Sequence, residues 1–292
     1  MAPCVEIESL LSDDKRSALI EKMASEGRAA SAFSLLRRYG IEPVLVKGLA
    51  SARYYPKDKP RSFIDTDLAV SPDDFKSALA IIRSGEAANL NIDLHNGFRH
   101  FDTRPWHKVF DATEIMEVAG GSVRVLSPED NLRLICAHWL NDGAANRERL
   151  WDIYYAVANR TKSFDWGKAL NGGGPERRTW VLCAIGLAHK YLGLNVDDLP
   201  FREQIGVPKW VTETVESEWK SGVRLRPLVS CLGEPRMLMT QIRKRFPPNP
   251  IQATIEMQRP IETRLRRSYQ VRTMFRRVGP SIEKFKAGFK RR

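Results

Sequence analysis

The sequence predicts an α+β fold: a small mixed sheet with helices packed on it, then an all-helical domain, then a basic C-terminal helix. Three observations lead there. Short apolar runs at about 43–47, 63–70 and 89–95 alternate with helical periods in the first 126 residues. Ser127-Pro128-Glu129-Asp130 then opens a stretch in which only helical spacing recurs. The last segment places arginine and lysine between apolar residues mostly three or four apart.

Taken in order, residues from about 5 to 39 read as two helical segments. Leu10, Leu11, Ala18, Leu19 and Met23 carry the first, and Ala32, Phe33, Leu35 and Leu36 the second, before Gly40. Pro43 to Lys47 is a short β-rich run punctuated by Gly48, and Leu49 to Tyr55 is expected to be helical before the turn between Pro56 and Pro60. A strand at 63–70 follows, then a helix opened by Ser71-Pro72-Asp73-Asp74 and running to Ser84, then a strand at 89–95. Serine before a proline at the first helical position, with acids in the first turn, is a helix start signal with a mechanism behind it. Glu114 to Val118 and Ser122 to Leu126, joined through Gly120-Gly121, read as a hairpin. Beyond Leu126 come helices from Ser127, at about 147–159, at 175–191 and at 208–220. Phe246-Pro247-Pro248-Asn249-Pro250 reads as a stiff extended break, and the basic helix that follows is expected to be interrupted or kinked near Gly279-Pro280. The expected division is therefore 1–126, 127–246 and 247–292.

Bulk properties narrow the function classes. A chain of 292 residues with 42% hydrophobic and 28% charged residues is long enough to bury a sizeable core. No run approaches the roughly 20 apolar residues of a membrane span, and Met1 to Glu6 lacks a basic region followed by an apolar core. A cytoplasmic location is the resulting expectation. Cys4, Cys136, Cys183 and Cys231 form no CxxC pair, which argues against a zinc knuckle or a thioredoxin-like site; Cys136 and Cys183 read as core thiols. The net charge of +12 is concentrated at one end: Arg236 to Arg292 holds 16 Lys plus Arg against 3 Asp plus Glu. That surface admits nucleic acid, anionic lipid, or an acidic or peptide partner. Its aromatic residues fall on the apolar stripe instead of alternating with arginines, which ranks lipid or protein above nucleic acid.

Chemistry concentrates in Phe63-Ile64-Asp65-Thr66-Asp67-Leu68 and Ile92-Asp93-Leu94-His95. Strand residues two apart face the same way, so Asp65 and Asp67 share a side and Asp93 and His95 share a side. Carboxylates in apolar runs need compensation, and a divalent cation is the natural one: Mg²⁺ takes one or two carboxylates plus substrate phosphates. The exposed loop-edge alternative for the pair remains open. No histidine pair has zinc-site spacing; His100 and His107 are expected in a loop, and His138 with Asp152 reads as a packing contact between successive helices.

Together, Val44-Leu45-Val46-Lys47-Gly48, Arg61 with Asp65-Thr66-Asp67-Leu68, Ile92 to His95, and Leu126 to Asp130 with His138 and Trp151-Asp152 resemble the bacterial nucleotidyltransferase family of the DNA polymerase beta-like superfamily, over about residues 40–160. The resemblance implies metal-dependent transfer of a nucleoside monophosphate, AMP favoured, from an NTP to a hydroxyl of a small molecule, peptide or protein. It makes Asp65, Asp67 and Asp93 the catalytic, metal-binding carboxylates, with Mg²⁺ expected, Mn²⁺ as the substitute, and ATP as the favoured co-substrate. Asp93 is also placed to accept the nucleophile's proton. Lys47, Gly48, Arg61 and His95 are then expected around the nucleotide. Lys47-Gly48 stands where the superfamily usually has Gly-Ser, so a charge replaces a hydroxyl at the phosphate. Thr66 stands where a bulky apolar residue is common. A different class stays open: a non-catalytic nucleotidyltransferase fold that recruits RNA, membrane or a partner chain through residues 260–292, and, further off, an RNA-tailing activity. Loops at about 56–61 and 96–108 are the expected places of acceptor recognition.

Overall fold

A computed structural model describes residues 13–61, 63–98, 103–223 and 225–289. Cys4 and His100 lie outside them. The architecture is α+β, with a five-stranded mixed sheet and a large helical part. By contact density the chain divides into two compact units, one of residues 1–134 and 159–172, the other of 135–158 and 173–292.

In the first unit the strands are β1 (Val44–Leu45), β2 (Thr66–Val70), β3 (Ile92–Asn96), β4 (Glu114–Val118) and β5 (Gly121–Val125), in the order β3-β2-β1-β5-β4. β1 runs antiparallel to β2 and parallel to β5, β2 and β3 are parallel, and β4–β5 is an antiparallel hairpin. The hairpin turns at Gly120 and Gly121, both at positive φ, which is why a glycine pair is found there. The helices are α1 (Asp13–Arg38), α2 (Gly48–Ala52), α3 (Phe75–Arg83) and α4 (Trp106–Phe110). One sheet face is apolar: Leu45, Leu68, Val70, Val123 and Val125 pack against Ala29, Ala32, Phe33 and Leu36 of α1 and Ala78 of α3. At about 25 cal/mol per Å² of buried apolar surface, this layer is the main stabiliser of the unit.

Two expectations are corrected here. The N-terminal helical segments are continuous as α1 among the described residues, because Gly27 sits in open space and costs only propensity. Only the second half of α1 is core; Met23 is exposed. His107 lies on α4, not in a loop.

Next come α5 (Pro128–Asn141), α6 (Leu150–Ala158), α7 (Trp166–Asn171), α8 (Pro175–Leu192), α9 (Lys209–Ser221), α10 (Pro235–Arg245), α11 (Pro250–Glu256) and α12 (Arg266–Phe289). The core of the second unit is built on two fully buried tryptophans whose indole N–H groups are satisfied: Trp139 donates to Asn146 O and Trp180 to Arg259 O, both at 2.8 Å. Cys136 and Cys183 are buried free thiols, and burial pushes both pKa values up, as inert core cysteines require. His138 contacts Arg149 and Asp142, and Asp152 is buried on α6. The proline-rich break is shorter than expected, since Asn249 caps α11 by accepting from Ile251 N and Gln252 N, with Pro250 at the first helical position. α12 is assigned without interruption through Gly279-Pro280; a proline's fixed φ is helical, and what it forfeits is one backbone hydrogen bond.

Candidate active site

The parallel register of β2 and β3 builds the site. Asp67 pairs with Asp93 and Ala69 with His95, so Asp67, Asp93 and His95 emerge on the sheet face opposite Leu68, Val70 and Leu94. Their ligand atoms, two carboxylate oxygens and one imidazole nitrogen, lie within 4.8 Å of one another. His95 Nε2 is 3.0 Å from Asp67 Oδ1 and 3.3 Å from Asp93 Oδ2.

Lys47 completes the cluster from the turn between β1 and α2. Val46 N–H donates to the Asp67 carbonyl, which continues the antiparallel ladder and brings Lys47 alongside β2. Its ammonium donates to Asp67 Oδ1 at 2.8 Å and lies 3.1 Å from His95 Nε2. The side chains of Lys47 and Asp67 are only 12% and 8% exposed, so the pair is largely removed from water. Backbone conformation enforces this placement: Lys47 has φ 55° and ψ −131°, a region glycine populates and L side chains rarely do. Gly48, which the sequence marks as the turn's flexible residue, is not at positive φ; a Cβ there would meet Phe63 and the Asp65 carbonyl at an ordinary 3.7 Å. Strain sits on the residue that carries the charge.

Electrostatics follow from this packing. Burial by itself would raise the Asp67 pKa, but the hydrogen bond from His95 and the charge of Lys47 outweigh it and hold the carboxyl below its usual range. The His95 hydrogen bond holds Asp93 at about 2 against a smaller opposing effect of burial. Burial lowers the His95 pKa, yet its bonds to Asp67 and Asp93 prevail and raise it. Both carboxylates are therefore ionised, as ligands must be. They converge on a point held by positive charge, namely the imidazole proton and the lysine ammonium. A divalent cation fits that donor set by displacing the His95 Nε2 proton, since two carboxylate oxygens and one deprotonated imidazole nitrogen suit Mn²⁺ at least as well as Mg²⁺.

The remaining expected residues are dispersed. Asp65 is exposed at the bend before β2 and stands outside the three-residue ligand set. Gly48 is the first residue of α2, and Arg61 is half-buried in the loop leading to β2.

Ser127-Pro128-Glu129-Asp130 has a structural task. Ser127 Oγ accepts from Asp130 N–H and from Lys168 Nζ; Glu129 accepts from Asp165 N–H and Lys168 Nζ, which ties the start of α5 to α7. Asp130 accepts from Arg104 at 2.7 Å and Arg133 at 2.9 Å through one oxygen, with Arg133 itself only 3% exposed.

With this geometry in view, the family comparison decides the class. A family model described as "Uncharacterised nucleotidyltransferase" matches residues 5–193, well over half of the chain. The chain belongs to this family. No curated protein and no solved structure matches it. Family membership makes the protein a transferase with an NTP as substrate, and the matched span contains β1 to β5 together with Lys47, Asp67, Asp93 and His95. Among the described residues no helix is long and apolar enough to cross a membrane.

Proposed function

We propose that the protein transfers a nucleoside monophosphate, AMP favoured, from an NTP to a hydroxyl of a small-molecule, peptide or protein acceptor, on a fold of the DNA polymerase beta-like type. The convergence of Asp67, Asp93 and His95 within 4.8 Å, inside a nucleotidyltransferase family match, carries this reading. These three residues would hold a divalent cation, Mg²⁺ or Mn²⁺, which when bound supplies Lewis-acid stabilisation of the phosphates and a lowered pKa for an acceptor hydroxyl. Lys47 brings a positive charge to the same point, to be shared between Asp67 and the triphosphate. Gly48 offers a backbone N–H beside it, and Arg61 lies on the approach to β2. Asp65, exposed two residues before Asp67, is available to the nucleotide-bound site. Acceptor recognition is assigned to residues 56–61 and 96–108.

Incubation with each NTP, Mg²⁺ or Mn²⁺ and a panel of acceptors should release pyrophosphate, most with ATP. Asp65→Asn should lower turnover while leaving nucleotide-free cation binding intact, because Asp65 is outside the ligand set. Asp93→Asn should lower both. Equal pyrophosphate release by the Asp93 variant would overturn the assignment.

One observation favours a second reading. Lys47 Nζ already occupies hydrogen-bonding distance of both Asp67 and His95, as a permanent stand-in for a cation would. On that reading the fold is a non-catalytic binding module, and the wild-type protein binds neither divalent cation nor NTP.

A further inference from the structure

We propose that the outer face of α12 is an anionic-membrane binding surface, independent of the nucleotidyl-transfer site. From Thr263 to Ile282 the sequence contains no Asp or Glu and has arginine at 264, 266, 267, 272, 276 and 277. Arg276 reaches Met257 Sδ at 3.8 Å, and the structure sorts the other five into two sets. Facing the second unit, Arg266 stacks over Trp210 at 4.9 Å and Arg277 pairs with Glu256, on the same side as buried Tyr269 and Thr273. On the opposite side of α12 Arg267 and Arg272 are exposed, as is Arg264 just before the helix, and none of the three has a protein partner among the described residues.

That outer side is also apolar. Val271 and Phe275 on that side are 48% and 70% exposed, and Leu265 just before the helix is 62% exposed. At 3.6 residues per turn, Val271 and Phe275 are adjacent on the helix surface, with Arg267 on one flank and Arg272 on the other. Val278 and Ile282 continue the same spacing in the sequence. Large apolar groups in the middle of an acid-free, arginine-flanked face match a bilayer interface, where the apolar stripe enters the acyl boundary and the guanidinium groups meet lipid phosphates. A second copy of this face would be repelled by its own charge. Nucleic acid would use the arginines but gains little from Val271 and Leu265, because stacking needs aromatic rings.

The test is co-sedimentation of the full-length protein with vesicles of phosphatidylglycerol mixed with phosphatidylcholine, against phosphatidylcholine alone. The protein should pellet with the first and stay in the supernatant with the second. Neutralising Arg267 and Arg272 together as glutamines should weaken partition roughly thirtyfold. Phe275→Ser should weaken it roughly tenfold with no change in charge. Circular dichroism should be unchanged in both, since neither position packs on the domain, and pyrophosphate release in solution should be unchanged as well. Equal pelleting with both vesicle types would overturn the proposal. So would wild-type partition by Phe275→Ser, or an RNA gel shift that depends on Arg267 and Arg272 in a protein that does not bind vesicles.

Discussion

Asp67→Asn should abolish cation binding and nucleotidyl transfer and also lower stability. Asp67 is the hub of the cluster: its Oδ1 accepts from Lys47 at 2.8 Å and contacts His95 Nε2 at 3.0 Å. Groups that merely orient metal ligands change affinity or activity by about 10–100-fold, so removal of a donor should cost at least about a hundredfold. Stability falls for a separate reason. The amide leaves Lys47 Nζ and His95 Nε2, 3.1 Å apart, without the carboxylate between them. Breaking a buried ion pair from one side costs about 3 kcal/mol or more, and Asp93 as a remaining partner places this case near that figure. Asp93→Asn separates the two effects, because Asp93 is half-exposed and its loss should reduce cation affinity with little change in melting. Melting curves with and without Mn²⁺ read both quantities. Wild-type stability should rise by about 2.7 kcal/mol at a hundredfold excess over the dissociation constant, and the Asp67 variant should not respond.

Asp130→Asn has the second-largest expected effect, on folding and not on chemistry. Asp130 is 3% exposed and takes hydrogen bonds from Arg104 and Arg133 on a single oxygen. Replacing the carboxylate takes the negative charge from a buried guanidinium whose desolvation it offsets. A loss of about 3–5 kcal/mol follows, or a melting point lower by roughly 5–10 °C. Asp165→Asn, a cap of α7 that accepts from Lys168 N–H near the surface, should cost about 1 kcal/mol or less by comparison. Equal melting of Asp130→Asn and wild type would show that the start of α5 does not hold the first unit together.

Much of the fold was legible because local and long-range signals agree there. The β4–β5 hairpin follows from alternating runs around Gly120-Gly121, and the strand at β2 and the helices α3, α5, α8 and α9 follow from caps and apolar period. α4, α7, α10 and α11 were missed. α10 is short and mostly polar and basic between Arg236 and Arg245, and the prolines beside Asn249 read as a break instead of a cap. At the site, strand alternation placed Asp93 with His95, and the parallel register brings both beside Asp67. What alternation cannot supply is pairing. The Lys47–Asp67 bond depends on β1 running antiparallel to β2, a long-range fact with no local signature. The same holds for Asp65, which is alternation-matched to Asp67 but lies before the strand begins at Thr66. The positive φ of Lys47 has no signature in its residue type, since glycine is the ordinary occupant of that region.

In the proposed site a divalent cation and the Lys47 ammonium compete for Asp67 and His95. Titration of nucleotide-free protein with Mn²⁺, followed by its paramagnetic resonance signal, tests this most directly when wild type, Asp67→Asn and Lys47→Met are compared. Wild type should bind Mn²⁺, Asp67→Asn should not, and Lys47→Met should bind more tightly than wild type because a resident positive charge has been removed. Absence of Mn²⁺ binding by both wild type and Lys47→Met, or equal binding by Asp67→Asn, would contradict the account.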